Sequence, residues 1–374
     1  MNPNPPGDIL SDRLAGVLLG TAVGDALGLP SENLSPVKIR KRWPGQWKMR
    51  FVFGKGMVSD DTEHTLMVAR ALREQPDDAR RFQCALAGKF RWWLAALPVG
   101  VGLATARACL KLWLGFPADK SAVVSAGSGP AMRSAIIGAF FATEPERRKA
   151  FVLASARLTH QGWQAETAAW AVAEVTALAI TNQHGDAARI WAVLAGLSPE
   201  SEWQKLVTNL QDSLAAGHSV SEFARVLHLE RGVTGYALHV VPVALYAWLR
   251  HPGDFRTALT SALDCGGDTD TVGAIVGALS GAALGKTAIP QEWRDGLWEW
   301  PQSVAYMTTL AGSLAELKTS GRRAVPINYF WPAVLVRNVV FLGVVLVHGI
   351  RRLGPPYGNG GIKRGAWVGR STGT

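Results

Sequence analysis

GVLLGTAVGDALG, residues 16–28, carries glycine at every fourth position: Gly16, Gly20, Gly24 and Gly28. The residues between are almost all apolar and show no period-two alternation, so the stretch reads as a buried helix over 11–28 with Ser11 or Asp12 as its N-cap. Four glycines spaced in this way form a ridge without side chains down one helix face. Each costs up to ~1 kcal/mol relative to alanine inside a helix, so the ridge needs a reason. Close packing against another helix accounts for most of it. The end carrying Gly24, Asp25 and Gly28 runs into a polar loop, where close backbone approach around a functional site would use the same residues.

The rest of the chain agrees with a helical interior. Ala-rich and Leu-rich stretches recur with polar residues at helical spacing, and strand-like alternation is scarce. The pattern predicts further helices over 60–75, 79–97, 103–114, 130–142, 146–158, 163–182, 186–196, 199–216, 221–229, 236–250, 254–264, 270–284 and 301–318. Pro199 suits the first turn of the helix that Ser198 would cap. Residues 33–58, rich in Pro, Gly, Lys, Arg and Trp, read as the longest non-helical insertion, and 115–130 reads as a loop. The predicted fold is all-α and compact. No repeat of 20–50 residues is present.

With 374 residues and 48% hydrophobic content, the chain buries a large core without disulfides or a structural metal. Three cysteines, Cys84, Cys109 and Cys265, are too few and too scattered for a disulfide framework or a zinc site. That usage and the lack of a basic-then-apolar leader in MNPNPPGDILSDRL predict a reducing, cytoplasmic setting. Cys265 reads as a small buried filler with no basic partner beside it.

The formal charge of +10 is unevenly spread. No Asp or Glu follows Glu316, and the last 58 residues hold nine of the 39 basic groups. The other 316 residues hold the remaining 30 basic and all 29 acidic groups, a net of +1. The basicity belongs to one tail. No nucleic-acid-binding module is recognisable in the body, so no nucleic-acid partner is expected.

The informative charges of the body are acidic. Ser59-Asp60-Asp61-Thr62-Glu63 opens the helix predicted from 60, and Gly266-Gly267-Asp268-Thr269-Asp270-Thr271 opens the one predicted from 270. Helix N-termini favour carboxylates, so capping explains either cluster alone. Brought together, four carboxylates would repel unless cations lay between them, and hard oxygen donors of this kind suit Mg²⁺, Mn²⁺ or Ca²⁺. Spacing alone leaves open whether the clusters meet.

Read in order, GVLLGTAVGDALGLPSE (16–32), SDDT (59–62), GSGPAMR (127–133), LTH (158–160) and GGDTDT (266–271) resemble the ADP-ribosylglycohydrolase family. They span about residues 12–315, and GDALG and GGDTDT are the specific pieces. The resemblance implies an all-helical catalytic domain over 1–318 with a central dinuclear site of two Mg²⁺ or Mn²⁺ ions. It implies Ser59, Asp60, Asp61, Asp268, Asp270 and Thr271 as ligands, and Glu32, Asp60 and Asp61 as the groups that handle protons beside the scissile bond. Contacts to the ADP-ribose would come from Asp25, Gly102, Gly127, Ser128, Gly129, Met132, Arg133 and His160. A Gly-rich loop entering a helix also suits a phosphate on physical grounds, although a turn before a helix is the plainer reading of 127–129. Some family members carry an Asp where this chain has Gly100.

The implied activity is hydrolysis of the N-glycosidic bond joining ADP-ribose to a protein side chain, arginine above all. Hydrolysis of O-linked or small-molecule conjugates, and a catalytically silent ADP-ribose binder, are the alternatives the resemblance also covers. The implied partner is an ADP-ribosylated protein. Such a protein can also act as an immunity factor against an ADP-ribosylating toxin.

Residues 319–374 form a basic, partly hydrophobic extension. Within it, VPINYFWPAVLVRNVVFLGVVLVHGIRRL (325–353) has an unbroken apolar run of nine residues, Val339–Val347, well short of the ~18 of a spanning helix. Arg337 and Asn338 sit mid-segment, where a lipid-facing charge costs at least ~2.5 kcal/mol. The expectation is a helical or β-rich appendage packed on the body, ahead of an interfacial membrane anchor and then a partner-binding element, with a true span last. The final Gly-rich stretch, 355–374, is expected to be poorly ordered.

Overall fold

The computed structural model describes residues 6–182, 186–321 and 329–353. Among these the chain is helical almost throughout. The first half comprises α1 (Pro6–Gly28), α2 (Pro36–Arg42), α3 (Asp60–Glu74), α4 (Ala79–Ala95), α5 (Leu103–Trp113), α6 (Gly129–Met132), α7 (Ala135–Phe140), α8 (Pro145–Ala156) and α9 (Trp163–Ile180). The second comprises α10 (Ala187–Ala195), α11 (Ser201–Ala215), α12 (Val220–Val226), α13 (Ala237–Arg250), α14 (Phe255–Leu263), α15 (Thr269–Leu284), α16 (Gln291–Arg294), α17 (Val304–Ser320) and α18 (Pro332–Leu353). One short parallel ladder joins β1 (Val123–Val124) to β2 (His160–Gln161).

The glycine ridge is the centre of the molecule. Gly16, Gly20, Gly24 and Gly28 face Gly281, Gly277, Gly273 and Thr269, so α1 and α15 run antiparallel. A Cβ on any of the four would lie within about 2.2 Å of a backbone oxygen of α15. Backbone therefore touches backbone along the whole contact, and packing explains the ridge. The surrounding layer follows from the apolar faces of the other helices: α17 and α3 lie against α1, while α9, α13 and α14 lie against α15. The contact brings the C-terminal end of α1 to the N-terminal end of α15.

Three local expectations change. The helix predicted over 130–142 is two, broken at Arg133 and Ser134. Arg133 leaves helical geometry as its guanidinium turns inward to Ser155 and Thr159. The insertion 33–58 contains α2, which starts where Ser35 accepts from the Lys38 N–H and Pro36 occupies the first turn. Its seven residues bury only Ile39, so it has almost no apolar period to read.

The third is in the tail, where the nine-residue apolar run becomes part of a 22-residue helix. Residues 332–353 form one continuous helix packed on the body, as the leading expectation held. Arg337 is only 3% exposed and donates to Glu63 at 3.1 Å, Glu299 at 2.6 Å and the Val58 carbonyl at 2.6 Å. Asn338 donates to the Ala96 carbonyl at 2.8 Å. These two mid-segment residues therefore lie on the face turned to the body. By length and composition alone α18 is long and apolar enough to cross a membrane, as is α1, which is buried in the core. The 355–374 stretch lies outside the described residues.

Candidate active site

The first acidic cluster is built by α1 reaching across to α3. Ser59 is the N-cap of α3, and its Oγ accepts from the Asp61 N–H at 3.3 Å. Asp25, the last acidic residue of α1, is fully buried beneath it. Its carboxylate accepts from the Ser59 and Thr62 N–H groups and from the Thr62 hydroxyl, at 2.6–3.2 Å. Asp25 thus caps α3 from a distance and fixes the start of that helix on α1. Burial raises its pKa to about 7 against these hydrogen bonds.

The second cluster is fixed by a three-way loop junction. Gly267 donates to and accepts from the 33–34 segment, through the Leu34 carbonyl and the Asn33 N–H, each at 2.8 Å. Asp268 N–H donates to the Val233 carbonyl at 2.8 Å, and Val233 N–H to Gly266 at 3.0 Å. Gly267 sits at φ +82°, and a Cβ there would meet the Val233 oxygen at 1.9 Å, so no other residue fits. This clamp aims Asp268 and Asp270 from the start of α15. It also places Glu32, directly before Asn33, beside them.

The two clusters meet. The Thr271 hydroxyl on α15 reaches Asp61 Oδ2 on α3 at 3.4 Å, and the Ser59 hydroxyl donates to the same oxygen at 3.1 Å. Asp61 Oδ1 and Asp270 Oδ1 are both buried without a hydrogen-bond partner. Capping therefore does not consume these carboxylates. Burial pushes the pKa values of Asp60, Asp61 and Asp270 well above the usual carboxylate range, and repulsion adds to it: from Asp25 and Glu63 on Asp60, from Asp25 and Asp60 on Asp61, from Glu32 and Asp268 on Asp270. Asp268 is raised by burial, with hydrogen bonds from Asp270 and Thr271 opposing. Glu32 is raised by burial and by Asp268, against Arg352. Each group is held near negative charge that a cation would relieve. Even so, among the described residues no three His, Cys, Asp or Glu side chains are gathered tightly enough to hold a metal as they stand.

Glu63, third in the same helical turn, is spoken for. It accepts from Trp93 Nε1 at 2.6 Å and from Arg337 at 3.1 Å.

The loop 126–129 is pinned next to this centre. Ser128 N–H donates to the Gly235 carbonyl and Ala237 N–H to the Ala126 carbonyl. His160 packs under it: a Cβ on Gly127 or Gly129 would lie 3.1 or 3.0 Å from the imidazole. The β1–β2 ladder, which pairs Val123 with His160, brings the two segments together. His160 is buried with its Nδ1 on the Thr159 hydroxyl, and burial and Arg133 lower its pKa to about 3, so it is neutral.

Arg133 has no exposed surface. It donates to Ser155 and Thr159 and lies over the Phe90 ring at 5.1 Å, and burial lowers its pKa to about 9. The structure places it behind His160 rather than at an open face. Met132 is buried, its carbonyl accepting from Thr65 on α3 at 3.2 Å. Gly102, the N-cap of α5, is exposed. Gly100 adopts φ +81°, a left-handed conformation that favours glycine. Cys265 is buried, with its thiol pKa pushed up to about 12 by burial, and serves as a filler.

A cavity of about 1210 Å³ lies elsewhere, between α18 and the segment after α2. Unpaired oxygens and mutual repulsion mark the acidic centre, and cavity volume does not.

The ADP-ribosylglycohydrolase family model matches residues 6–323. The chain belongs to the ADP-ribosylglycohydrolase family. It is 30% identical to an uncharacterised protein of Archaeoglobus fulgidus over 315 residues, covering 82% of this chain and 97% of that one. It is 28% identical to the ADP-ribosyl-[dinitrogen reductase] glycohydrolase of Rhodospirillum rubrum over 300 residues, covering 78% and 92%. A solved ADP-ribosylglycohydrolase-related protein complex superposes with TM-score 0.64 and 25% identity, over 83% of this chain and all of that one. Membership supports an ADP-ribosyl hydrolase activity and an all-α fold.

Against that family frame, several site residues had no local signal. Thr62 lies in the SDDT motif with no role of its own in the sequence reading and holds Asp25, and Thr65, an ordinary helix residue in sequence, holds the loop at Met132. Ser155 and Thr159 hold Arg133. Arg352, from the far end of the chain, donates to the Glu32 carbonyl at 2.5 Å.

Proposed function

We propose that the protein removes ADP-ribose from N-linked arginine on a protein substrate, using two Mg²⁺ or Mn²⁺ ions. Ser59, Asp60, Asp61, Asp268, Asp270 and Thr271 would hold them. The observation that carries the reading is the meeting of two acidic helix starts in which Asp61 Oδ1 and Asp270 Oδ1 are buried without partners. Their donor set is all oxygen, which matches hard divalent cations. When bound, such ions polarise the sugar hydroxyls and acidify water.

The chain's own residues supply the rest. Glu32, with its raised pKa, takes a proton from the attacking water as the water oxygen bonds to the anomeric carbon. The bond from that carbon to the guanidino nitrogen breaks, and the proton returns to the leaving arginine. The loop 127–129 flanks the diphosphate, with its Gly127 and Ser128 N–H groups held by the Ser125 hydroxyl and the Gly235 carbonyl, and neutral His160, steadied by Thr159 and Arg133 behind it, supports that loop without adding charge. Residues 1–318 form the catalytic unit in this reading. A role as an immunity factor against an ADP-ribosylating toxin follows from the same reaction.

The test is release of ADP-ribose from arginine-linked and serine-linked proteins, with and without EDTA. Arginine-linked substrate should be cleaved, EDTA should stop it, and Asp60→Ala or Asp268→Ala should reduce it to background. Turnover by either variant at the wild-type rate with metal present would overturn the assignment.

A further inference from the structure

α18 is amphipathic in reverse. The side against the body carries its polar groups: Arg337 on Glu63 and Glu299, Asn338 on Ala96, His348 on the Pro30 carbonyl at 3.0 Å and Arg352 on the Glu32 carbonyl. The opposite side is aliphatic. Val336, Val339, Leu342, Leu346 and Ile350, three or four residues apart, are 46–69% exposed. A helix that only completes a water-soluble body turns these faces the other way. A continuous exposed apolar strip of this kind marks a surface that meets something apolar.

The strip has a basic margin. Val340 and Val347 share the walls of the 1210 Å³ cavity with Arg42, Lys48, Arg50 and Arg351. Phe53 lines the same cavity at φ +53° and is 99% exposed, an aromatic held outward beside the strip. The sequence after Glu316 has nine basic residues and no acidic one.

We propose that this face docks on an anionic lipid bilayer. α18 lies in the plane of the interface with its aliphatic side in the acyl boundary, Phe53 beside it, and the basic margin on lipid phosphates. The ion pairs of Arg337 with Glu63 and Glu299 keep the helix on the body, so it lies on the membrane and does not cross it. A second copy of the chain fits less well, because a symmetric contact would set two basic margins against each other.

The experiment is co-sedimentation of the full chain with vesicles of phosphatidylcholine and phosphatidylglycerol in equal parts, and with phosphatidylcholine alone. Wild type should pellet with the anionic vesicles. Binding should fall at least about tenfold on omitting phosphatidylglycerol or in V339D/L346D. That variant should keep its unfolding temperature and ADP-ribose release, since both side chains are exposed. A wild type that stays in the supernatant with both vesicle types would overturn the proposal. So would a dimer in vesicle-free solution that V339D/L346D makes monomeric, because a second copy would then be the occupant.

Discussion

Gly24→Ala tests the contact on which the core and the acidic centre both depend. The added Cβ would lie 1.9 Å from the Gly273 carbonyl oxygen, whereas ordinary contact begins near 3.4 Å. The difference requires α1 and α15 to part locally by about 1.5 Å. Overpacking a core costs ~1–3 kcal/mol, and here the obstacle is a buried helix backbone, which places the cost near the top of that range. Alanine's helix propensity returns up to ~1 kcal/mol. The net loss is about 2 kcal/mol. Gly88→Ala, inside α4 with nothing within 4 Å of the new Cβ, should instead gain about 0.5–1 kcal/mol. Urea unfolding followed by circular dichroism reads both. Gly24→Ala should also lose most ADP-ribose release, because Asp25 carries the start of α3 and the Thr271–Asp61 contact, already 3.4 Å, cannot stretch further. Equal or higher stability of Gly24→Ala would refute the reasoning, as would shifts of the same sign in the two variants.

Mg²⁺ at about 100 times its Kd should stabilise wild type by ~2.7 kcal/mol and leave Asp61→Asn almost unmoved, while in EDTA that variant should unfold at higher urea than wild type, having lost one of several repelling buried carboxylates; urea unfolding with Mg²⁺ and with EDTA reads both. His160, whose pKa falls to about 3 in the fold from an unfolded value near 6.5, stabilises fully above pH ~6.5 and loses that contribution as pH falls toward 3. By pH ~5 the loss is about 2 kcal/mol, and His160→Gln should flatten this part of the urea-midpoint profile. Arg337→Met leaves Glu63 and Glu299 buried without their cation, which should cost ~3–5 kcal/mol and free α18 for limited proteolysis. The triple change Arg337→Met, Glu63→Gln, Glu299→Gln should recover most of it.

What the sequence made legible was local. The glycine ridge, the helix starts and the GG clamp each write their requirement into adjacent residues: a missing Cβ, a capping hydroxyl, a left-handed φ. Long apolar helices such as α9 and α13 show the same period in sequence and structure. The residues that escaped act through distance. Asp25 reads as a substrate contact beside a polar loop, and it is buried under α3, 34 positions on in the chain, where three donors need an acceptor. Arg133 reads as a loop cation and sits inside, since Ser155 and Thr159 offer acceptors that nothing near it announces. α2 escaped because a short basic helix buries one side chain.

The tail shows why unbroken apolar runs mislead. Counting them split 332–353 at Arg337, yet a helix separates its faces by angle, and Arg337 occupies the angle that meets Glu63 and Glu299. The same geometry ties the tail to the acidic centre. The first turn of α3 carries Asp61 toward α15 and Glu63 toward α18. Arg337 pairs with Glu63, whereas among the described residues Asp60 and Asp61 make no such ion pair. A chain that loses Arg337 adds an unpaired Glu63 to a cluster whose members already repel, so changes in the tail reach the centre through charge as well as through packing.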